Sequence, residues 1–482
     1  LVGSEMCIRD RVSPLQNGWA YMHAIRWVKK GGVLITFPAG EVSSLAITRG
    51  KIVDPQWSSH IGAIIRLTRA NVLPVFFPGR NSILFNMLGL VHPKLRTAML
   101  PRELSNKYHT TIDVIVGKAL CNHRLTSMHS DDEITDYLRF HTYFLKNRIF
   151  VRNPKKHQSI LHRTCQRRIN PLIRPVSPSR LRDEIHLLSN NQRLIKHKEF
   201  EVYCAKQHEI PAVIREIGRL RELSFRDVGE GTGKPLDIDR FDGDYLHLFL
   251  WNRQALEIAG AYRLGLVDQI LTQKGRKGLY THSLFHLKAE FFDRINNALE
   301  LGRSFIRPSY QKSYSCLSLL WQGIGRFIVH NPRYRTLFGP VSISGDYHKV
   351  SKTLMVEFLR NKKANVRLRR VVTPRKPFRK QMRKHIPNIT PESVVGDVEN
   401  ISLMISEIEA DGKGIPILIK QYLKLAGTFV GFNVDKRFSD VVDGLVIVDL
   451  MQTDPKLLQR FMGSEGADGF HSHHCSEMDP VR

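Results

Sequence analysis

Four charged side chains in the second half of the chain have the types an amino-acid ligand needs. Asp239 and Asp242 can hold an ammonium group, and Arg263 or Arg303 can hold a carboxylate through two parallel hydrogen bonds. They follow one another in an ordered series. It opens with Arg219-Leu220-Arg221-Glu222-Leu223-Ser224-Phe225-Arg226 and the glycines Gly229, Gly231 and Gly233. Asp239-Arg240-Phe241-Asp242, Gly260-Ala261-Tyr262-Arg263-Leu264 and Leu299-Glu300-Leu301-Gly302-Arg303-Ser304-Phe305 come next. A second constellation lies near the start. There Val33 to Phe37 reads as a buried strand running into the tight turn Pro38-Ala39-Gly40-Glu41, which presents a carboxylate and the hydroxyls of Ser43 and Ser44. Further on, Pro74, Gly79, Arg80 and Asn81 mark another strand and turn, where Arg80 is placed to grip an anionic head group.

The elements that must carry these residues alternate between helix and strand. In the first half, helices are expected at 18–30, 59–69 and 131–146, and strands at 33–37, 72–77 and 111–116. Asp131 and Asp132 open the last of these helices, where acids suit the helix dipole. Residues 151–182 carry Pro154, Pro171, Pro175 and Pro178 among basic residues and read as a linker. Beyond it, Ile214, Ile217, Leu220 and Leu223 line one face of a helix over 210–226. Strands are expected at 246–251, 258–264, 298–306 and 441–450, a helix at 314–330, and a helix or strand at 417–425. The expected fold class is α/β in two domains, 13–150 and 183–465, with a loose tail over 466–482. Residues 1–12 fit no element that follows and read as a non-native leader.

The first constellation resembles two sequence blocks of the glycerolipid acyltransferases, the family of lysophosphatidic acid acyltransferase. The family's F-P-E-G-T-R-S block appears as Phe37-Pro38-Ala39-Gly40-Glu41-Val42-Ser43, with Ala39 in place of the Glu and no Arg after it. The resemblance implies an acceptor-side site built from Phe37, Pro38, Gly40, Glu41 and Arg80. The family's H-x-x-x-x-D pair, in which the His deprotonates an alcohol, is missing before Phe37: His23 has Val28 at the required offset. The only literal match, His474 to Asp479, lies in the tail. This half therefore reads as N-terminally truncated and unable to acylate a hydroxyl by itself.

The series from Arg219 to Pro308 resembles the GNAT superfamily, and within it the branch of acyl-homoserine-lactone synthases and ornithine N-acyltransferases. Gly414-Ile415-Pro416 and Phe432 to Ser439 resemble the ornithine enzymes in particular. The resemblance implies transfer of an acyl group from a thioester to an amine, with Glu300 as the base that the protonated amine needs. It also implies that the donor's phosphopantetheine lies on the N-terminus of the helix after Pro308. Gln311, Lys312 and Ser313 stand there, but the usual glycines do not, which favours acyl carrier protein over coenzyme A as the bearer of the thioester. The whole implies a bifunctional aminolipid (ornithine lipid) synthase with an amino acid and a lyso-aminolipid as substrates. Two other readings are a silent membrane-associated scaffold and an enzyme making a soluble N-acyl amino acid signal.

Composition bounds the setting. The formal net charge is +28 over 482 residues. Eleven Lys/Arg and no acid lie between Lys146 and Arg182, and twelve Lys/Arg and no acid between Arg360 and Lys384. Such runs attract an anionic membrane surface. No nucleic-acid-binding motif accompanies them, so nucleic acid is not expected. The six cysteines are scattered without a C-x-x-C, which suits a reducing compartment. His471-Ser472-His473-His474-Cys475 is spaced too tightly for a tetrahedral metal, and none is expected. The expected location is the cytoplasm, peripherally on the inner membrane.

Overall fold

The computed structural model describes residues 14–40, 42–46, 51–92, 95, 98–108, 110–148, 170–295, 297–379, 397–438 and 440–476. They form two compact units, 14–148 with 397–414, and 170–379 with 415–476.

The first unit is mostly helical. Helices Pro14–Lys29, His60–Thr68, Ile83–Val91, Asp131–Phe144 and Val398–Ile408 surround short strand pairs. Helix Asp131–Phe144 is capped by the Ser130 side chain, which accepts from the Glu133 amide, and three acids fill its first turn. Helix Val398–Ile408 lies within the span 183–465 expected as one domain but folds with the first unit. Its Glu407 accepts a hydrogen bond from the Lys118 amide at 2.8 Å and lies 3.5 Å from His141 Nε2, both side chains being buried.

The strand expected over Val33–Phe37 does not form. The backbone there is irregular, and Val33, Ile35 and Phe37 are 81%, 81% and 74% exposed. Among the described residues no strand pairs with it, so it has no ladder to join. The expected strands 72–77 and 111–116 shrink to Val75–Phe76 paired with Ile115–Val116.

The second unit is an eight-stranded sheet with helices on both faces. Its strands are β1 (Arg193–His197), β2 (Phe200–Lys206), β3 (Leu246–Asn252), β4 (Glu257–Leu266), β5 (Ala298–Ile306), β6 (Thr336–Ile343), β7 (Thr428–Asp435) and β8 (Val441–Asp449). Across the sheet the order is β7-β8-β6-β5-β4-β3-β2-β1, and every neighbouring pair is antiparallel except β5 and β6. The helices are α1 (Pro178–His186), α2 (Pro211–Asp227), α3 (Val267–Lys274), α4 (Tyr314–His330), α5 (Lys349–Lys362), α6 (Ile417–Lys424), α7 (Pro455–Met462) and α8 (Ser464–Ser476).

Helix α2 starts at Pro211, whose fixed φ suits a first helical position. Its Val213, Ile214, Ile217 and Leu220 share a core with Tyr203, Phe249 and Phe305 of the sheet. Helix α4 covers the opposite face, its Gly323 seated on Val202 and Leu248. Two parts of this unit differ from expectation. The proline-rich stretch is not free linker from residue 170 onward, because the Asn170 and Ile173 amides donate to Gly233 O and Pro235 O. The tail is not loose through Ser476: it forms α8, where Ala467 and Phe470 are buried and His474 Nε2 meets Pro332 O at 2.8 Å. The apolar spacing there outweighs the glycine content.

The sheet parts in its middle. β5 and β6 pair only over Ala298–Glu300 and Thr336–Phe338, although both strands run on. Pro340, which has no N–H to give, comes two residues after the last one paired to β5, so no ladder bond to β5 is lost there. Gly339 faces β5 so closely that a Cβ would sit 2.1 Å from the Leu301 carbonyl oxygen. On its other side β5 breaks register with β4 between Gly302 and Phe305, and Arg303 within this bulge has φ 50°. A left-handed conformation at a non-glycine residue costs on the order of 1 kcal/mol and persists only where the surroundings hold it.

Candidate active site

Three arginines and three aspartates interlock beside the bulge. Arg221, from α2, reaches Asp242 with both terminal nitrogens, at 2.9 and 3.1 Å, and its Nε lies 3.2 Å from Asp237 Oδ2. Arg263, from β4, reaches Asp239 at 2.7 Å and Asp242 at 3.3 Å. Arg303, from β5, is held more loosely, 3.4 Å from Asp239 and 3.8 Å from Asp237. The guanidinium carbons of Arg263 and Arg303 lie 5.4 and 5.2 Å from the Tyr280 ring centre. The carboxylates sit in a tight turn in which the Asp239 amide donates to Asp242 and the Phe241 amide to Asp239.

Burial alone would raise the Asp242 carboxyl, but Arg221 and Arg263 hold it well below the usual carboxylate range. Asp242 and Arg263 are each about 1% exposed, whereas the Asp239 side chain keeps 23% of its surface. Of the four residues that sequence offered for an amino acid, Asp239 and Arg303 thus keep some exposed surface, 23% and 12% of their side chains. Arg263 is the buried counter-ion of Asp239, and Asp242 is spent on Arg221 and Arg263.

Glu300 also lies out of solvent, at 1% exposure. One oxygen accepts the Tyr245 hydroxyl hydrogen bond and the other accepts the Thr281 amide at 2.5 Å. The Tyr245 oxygen accepts in turn from the Tyr280 amide at 2.9 Å. Burial raises the Glu300 carboxyl and pushes the Tyr245 phenol well above its ordinary value. The arrangement ties the turn bearing Tyr280 to β5.

His247, on β3, lies 2.9 Å from the Asp242 carbonyl oxygen, so its Nε2 carries the hydrogen and donates. Burial brings its pKa from 6.5 down to about 4. The fold holds the ring neutral. This stability is complete above the unfolded pKa and is lost as pH falls from 6.5 toward about 4. The loss is about 3 kcal/mol, at roughly 1.4 kcal/mol per pH unit. Urea unfolding at pH 7 and pH 4 checks this: His247→Gln is expected to lose less stability than wild type over that interval. An equal loss in both would remove His247 as the cause.

Beyond β5, a short 3-10 turn at Pro308–Tyr310 leads to α4. Tyr310 OH donates to Glu257, which also binds Arg307, and Asn252 donates to Tyr310 at 3.1 Å, so the turn is braced. Gln311 spends its side-chain amide on Ile306 O at 3.1 Å, while Lys312 and Ser313 are exposed at the mouth of the helix. The Ser313 side chain gives α4 no capping hydrogen bond.

In the first unit, Phe37 is exposed, the Gly40 amide closes a turn onto Phe37 O at 3.0 Å with φ 64°, and Pro38 O accepts from the Ser58 amide at 3.1 Å. Glu41 and Arg80 lie outside the described residues. The site residues that sequence did not single out are Arg221, Asp237, Tyr245, Tyr280 and Glu230. Arg221 lay inside the quoted Arg219 to Arg226 run, and Glu230 lay between two of the quoted glycines.

Residues 220–322 match the acetyltransferase (GNAT) domain family. A glycine N(alpha)-acyltransferase of Phocaeicola vulgatus is 31% identical over 58% of this chain and 88% of its own length. One of Bacteroides thetaiotaomicron is 31% identical over 61% and 91%. The chain belongs to the GNAT-type acyltransferase family of these relatives. No solved structure matches it. In this acyltransferase the matched segment runs from the middle of α2 into α4, and so contains the arginine–aspartate network, the β5 bulge and the α4 mouth. Among its described residues no helix is long and apolar enough to cross a membrane.

Proposed function

We propose that the second unit transfers an acyl group from a thioester to the α-amino group of a small amino acid, with glycine as the first candidate. The observation that carries this reading is the parting of β5 from β6 with Arg303 at the bulge beside the gap. The opening gives an extended acyl thioester room between two strands, and the guanidinium gives the acceptor's carboxylate a partner. The names of the two relatives favour glycine over ornithine. Arg303 and Asp239 read the acceptor's charges, and Asp242, Arg263 and Arg221 position them. Glu300 is assigned a positioning role in place of proton acceptance, since both its oxygens are engaged and shielded. The donor's phosphopantetheine runs toward Lys312 and Ser313 at α4, carried on coenzyme A or acyl carrier protein.

The product would be an acylated amino acid of lipid type. Exposed Arg367, Arg369, Arg370, Lys376 and Arg379 suit work at an anionic surface. The proposal does not extend to esterification by the first unit, where the expected strand is absent.

The full chain, given a long-chain acyl thioester and glycine, is expected to form N-acylglycine detectable by mass spectrometry. Methylamine, which lacks the carboxylate, should be a poor acceptor. Arg303→Gln should raise KM for glycine roughly 10–100-fold, the worth of a lost charged hydrogen bond. Equal turnover of methylamine and glycine would remove the carboxylate-reading role of Arg303. No amide with any amino acid would remove the whole reading.

A further inference from the structure

We propose that Glu230 takes the proton from the acceptor's α-ammonium group, a role that rests on the amino-acid reading above. Glu222, wholly buried on α2, accepts from the Thr232 amide at 2.9 Å, the Thr232 hydroxyl at 2.7 Å and the Gly233 amide at 2.8 Å. The Glu230 amide donates to Phe225 O at 2.7 Å, and Ser344 Oγ donates to Val228 O at 2.9 Å. Gly229, at φ 72°, turns the chain against the Asp346 carboxylate. So many bonds on one short loop fix the backbone that carries the half-buried Glu230 side chain.

The loop lies beside Arg303: the Arg303 guanidinium carbon is 5.9 Å from the centre of the Phe225 ring, and Phe225 O takes the Glu230 amide. Arg303 stands on β5 beyond Glu300, the last residue paired to β6. Asp443, on β8, lies opposite Ser342, beyond the last β6 residue paired to β5. The charged groups acting on Glu230 are these two and Asp346 of the turn after β6. Burial, then Asp443 and Asp346, push the Glu230 carboxyl up to about 7 against the opposing pull of Arg303. Arg303 Nε is buried without a hydrogen-bond partner, and its terminal nitrogens hold Asp239 and Asp237 only loosely, at 3.4 and 3.8 Å, which leaves the guanidinium bonding capacity for a carboxylate. An acceptor whose carboxylate pairs with Arg303 brings its ammonium group into the same charged cluster as Glu230.

The step balances. Carboxylate takes one proton from the ammonium group, and the freed nitrogen lone pair forms a C–N bond at the thioester carbonyl. The tetrahedral adduct collapses with cleavage of the C–S bond. The sulfur keeps that electron pair and takes the second nitrogen proton, leaving amide and thiol. The protonated Glu230 returns its proton to water.

The test compares wild type, Glu230→Gln and Asp346→Asn, each full length and each checked for unchanged melting temperature, across pH. With glycine, Glu230→Gln is expected to lower kcat/KM roughly 10²–10⁴-fold at pH 7, the usual worth of a general base. With hydroxylamine, already unprotonated at neutral pH, it should keep the wild-type rate. Asp346→Asn, on an exposed side chain, should move the acid limb of the wild-type profile to lower pH. Equal losses with both acceptors, or an acid limb unmoved by Asp346→Asn, would overturn the role of Glu230. A wild-type protein that acylates hydroxylamine but no amino acid would overturn the acceptor reading instead.

Discussion

Replacing Arg263 with methionine is expected to destabilise the second unit by about 3–5 kcal/mol, the cost of removing one partner from a buried ion pair. Methionine fills much of the same space, so the loss is chiefly electrostatic. Asp242 would keep Arg221, but Asp239 would keep only Arg303 at 3.4 Å. Two carboxylates would then face each other across one turn with one of their three arginines gone. Since a domain has only about 5–15 kcal/mol in hand, this substitution brings the unit near unfolding. Urea unfolding of the variant measures it. Arg263→Lys keeps the charge but not the fork, and should fall between the two. A loss under about 1 kcal/mol would mean that the network is not what holds this turn.

Glu300→Gln separates a brace from a base. Tyr245 OH and the Thr281 amide both donate to Glu300, and a glutamine offers one acceptor oxygen and one amino group. One buried donor is left facing another, at a cost of about 1–3 kcal/mol. The expected result is lower stability with the acid limb of the pH–rate profile unmoved. A fall in kcat of roughly 10²–10⁴-fold at unchanged stability would return proton acceptance to Glu300. Both measurements are needed, because activity alone does not distinguish a shifted Tyr280 turn from a missing base.

Much of the second unit was legible. Pro211 and the stripe Ile214, Ile217, Leu220 marked α2, and the apolar runs marked β3, β4, β5 and β8. β6 was not legible, because Gly339 and Pro340 punctuate it as a turn would. The strand tolerates them because Gly339 lies tight against the Leu301 carbonyl and Pro340 lies past the last residue paired to β5, both tertiary facts. Val33 to Phe37 erred the other way: its apolar pattern fits a strand, but a strand is made by its neighbours. At the site, sequence order brought Asp239, Asp242, Arg263, Glu300 and Arg303 into view. It could not separate reader from brace, since the division rests on exposure and on which oxygens are already engaged. Glu230 was hidden among glycines that read as a turn, although a fixed turn is a natural mount for one reactive group.

The helix Val398–Ile408 has a consequence for anyone who would cut this chain. It belongs to the first unit but is encoded between two stretches of the second. A protein ended after residue 158 loses Glu407, and with it the acceptor for the Lys118 amide and the neighbour of His141. Conversely, a protein begun at 159 carries an orphaned amphipathic helix whose Ile401, Met404, Ile405 and Ile408 have lost their cover. The two units are thus interleaved in the gene and cannot be traded as cassettes with a single breakpoint. Recombination or engineering that exchanges the first unit intact must move two separate segments at once.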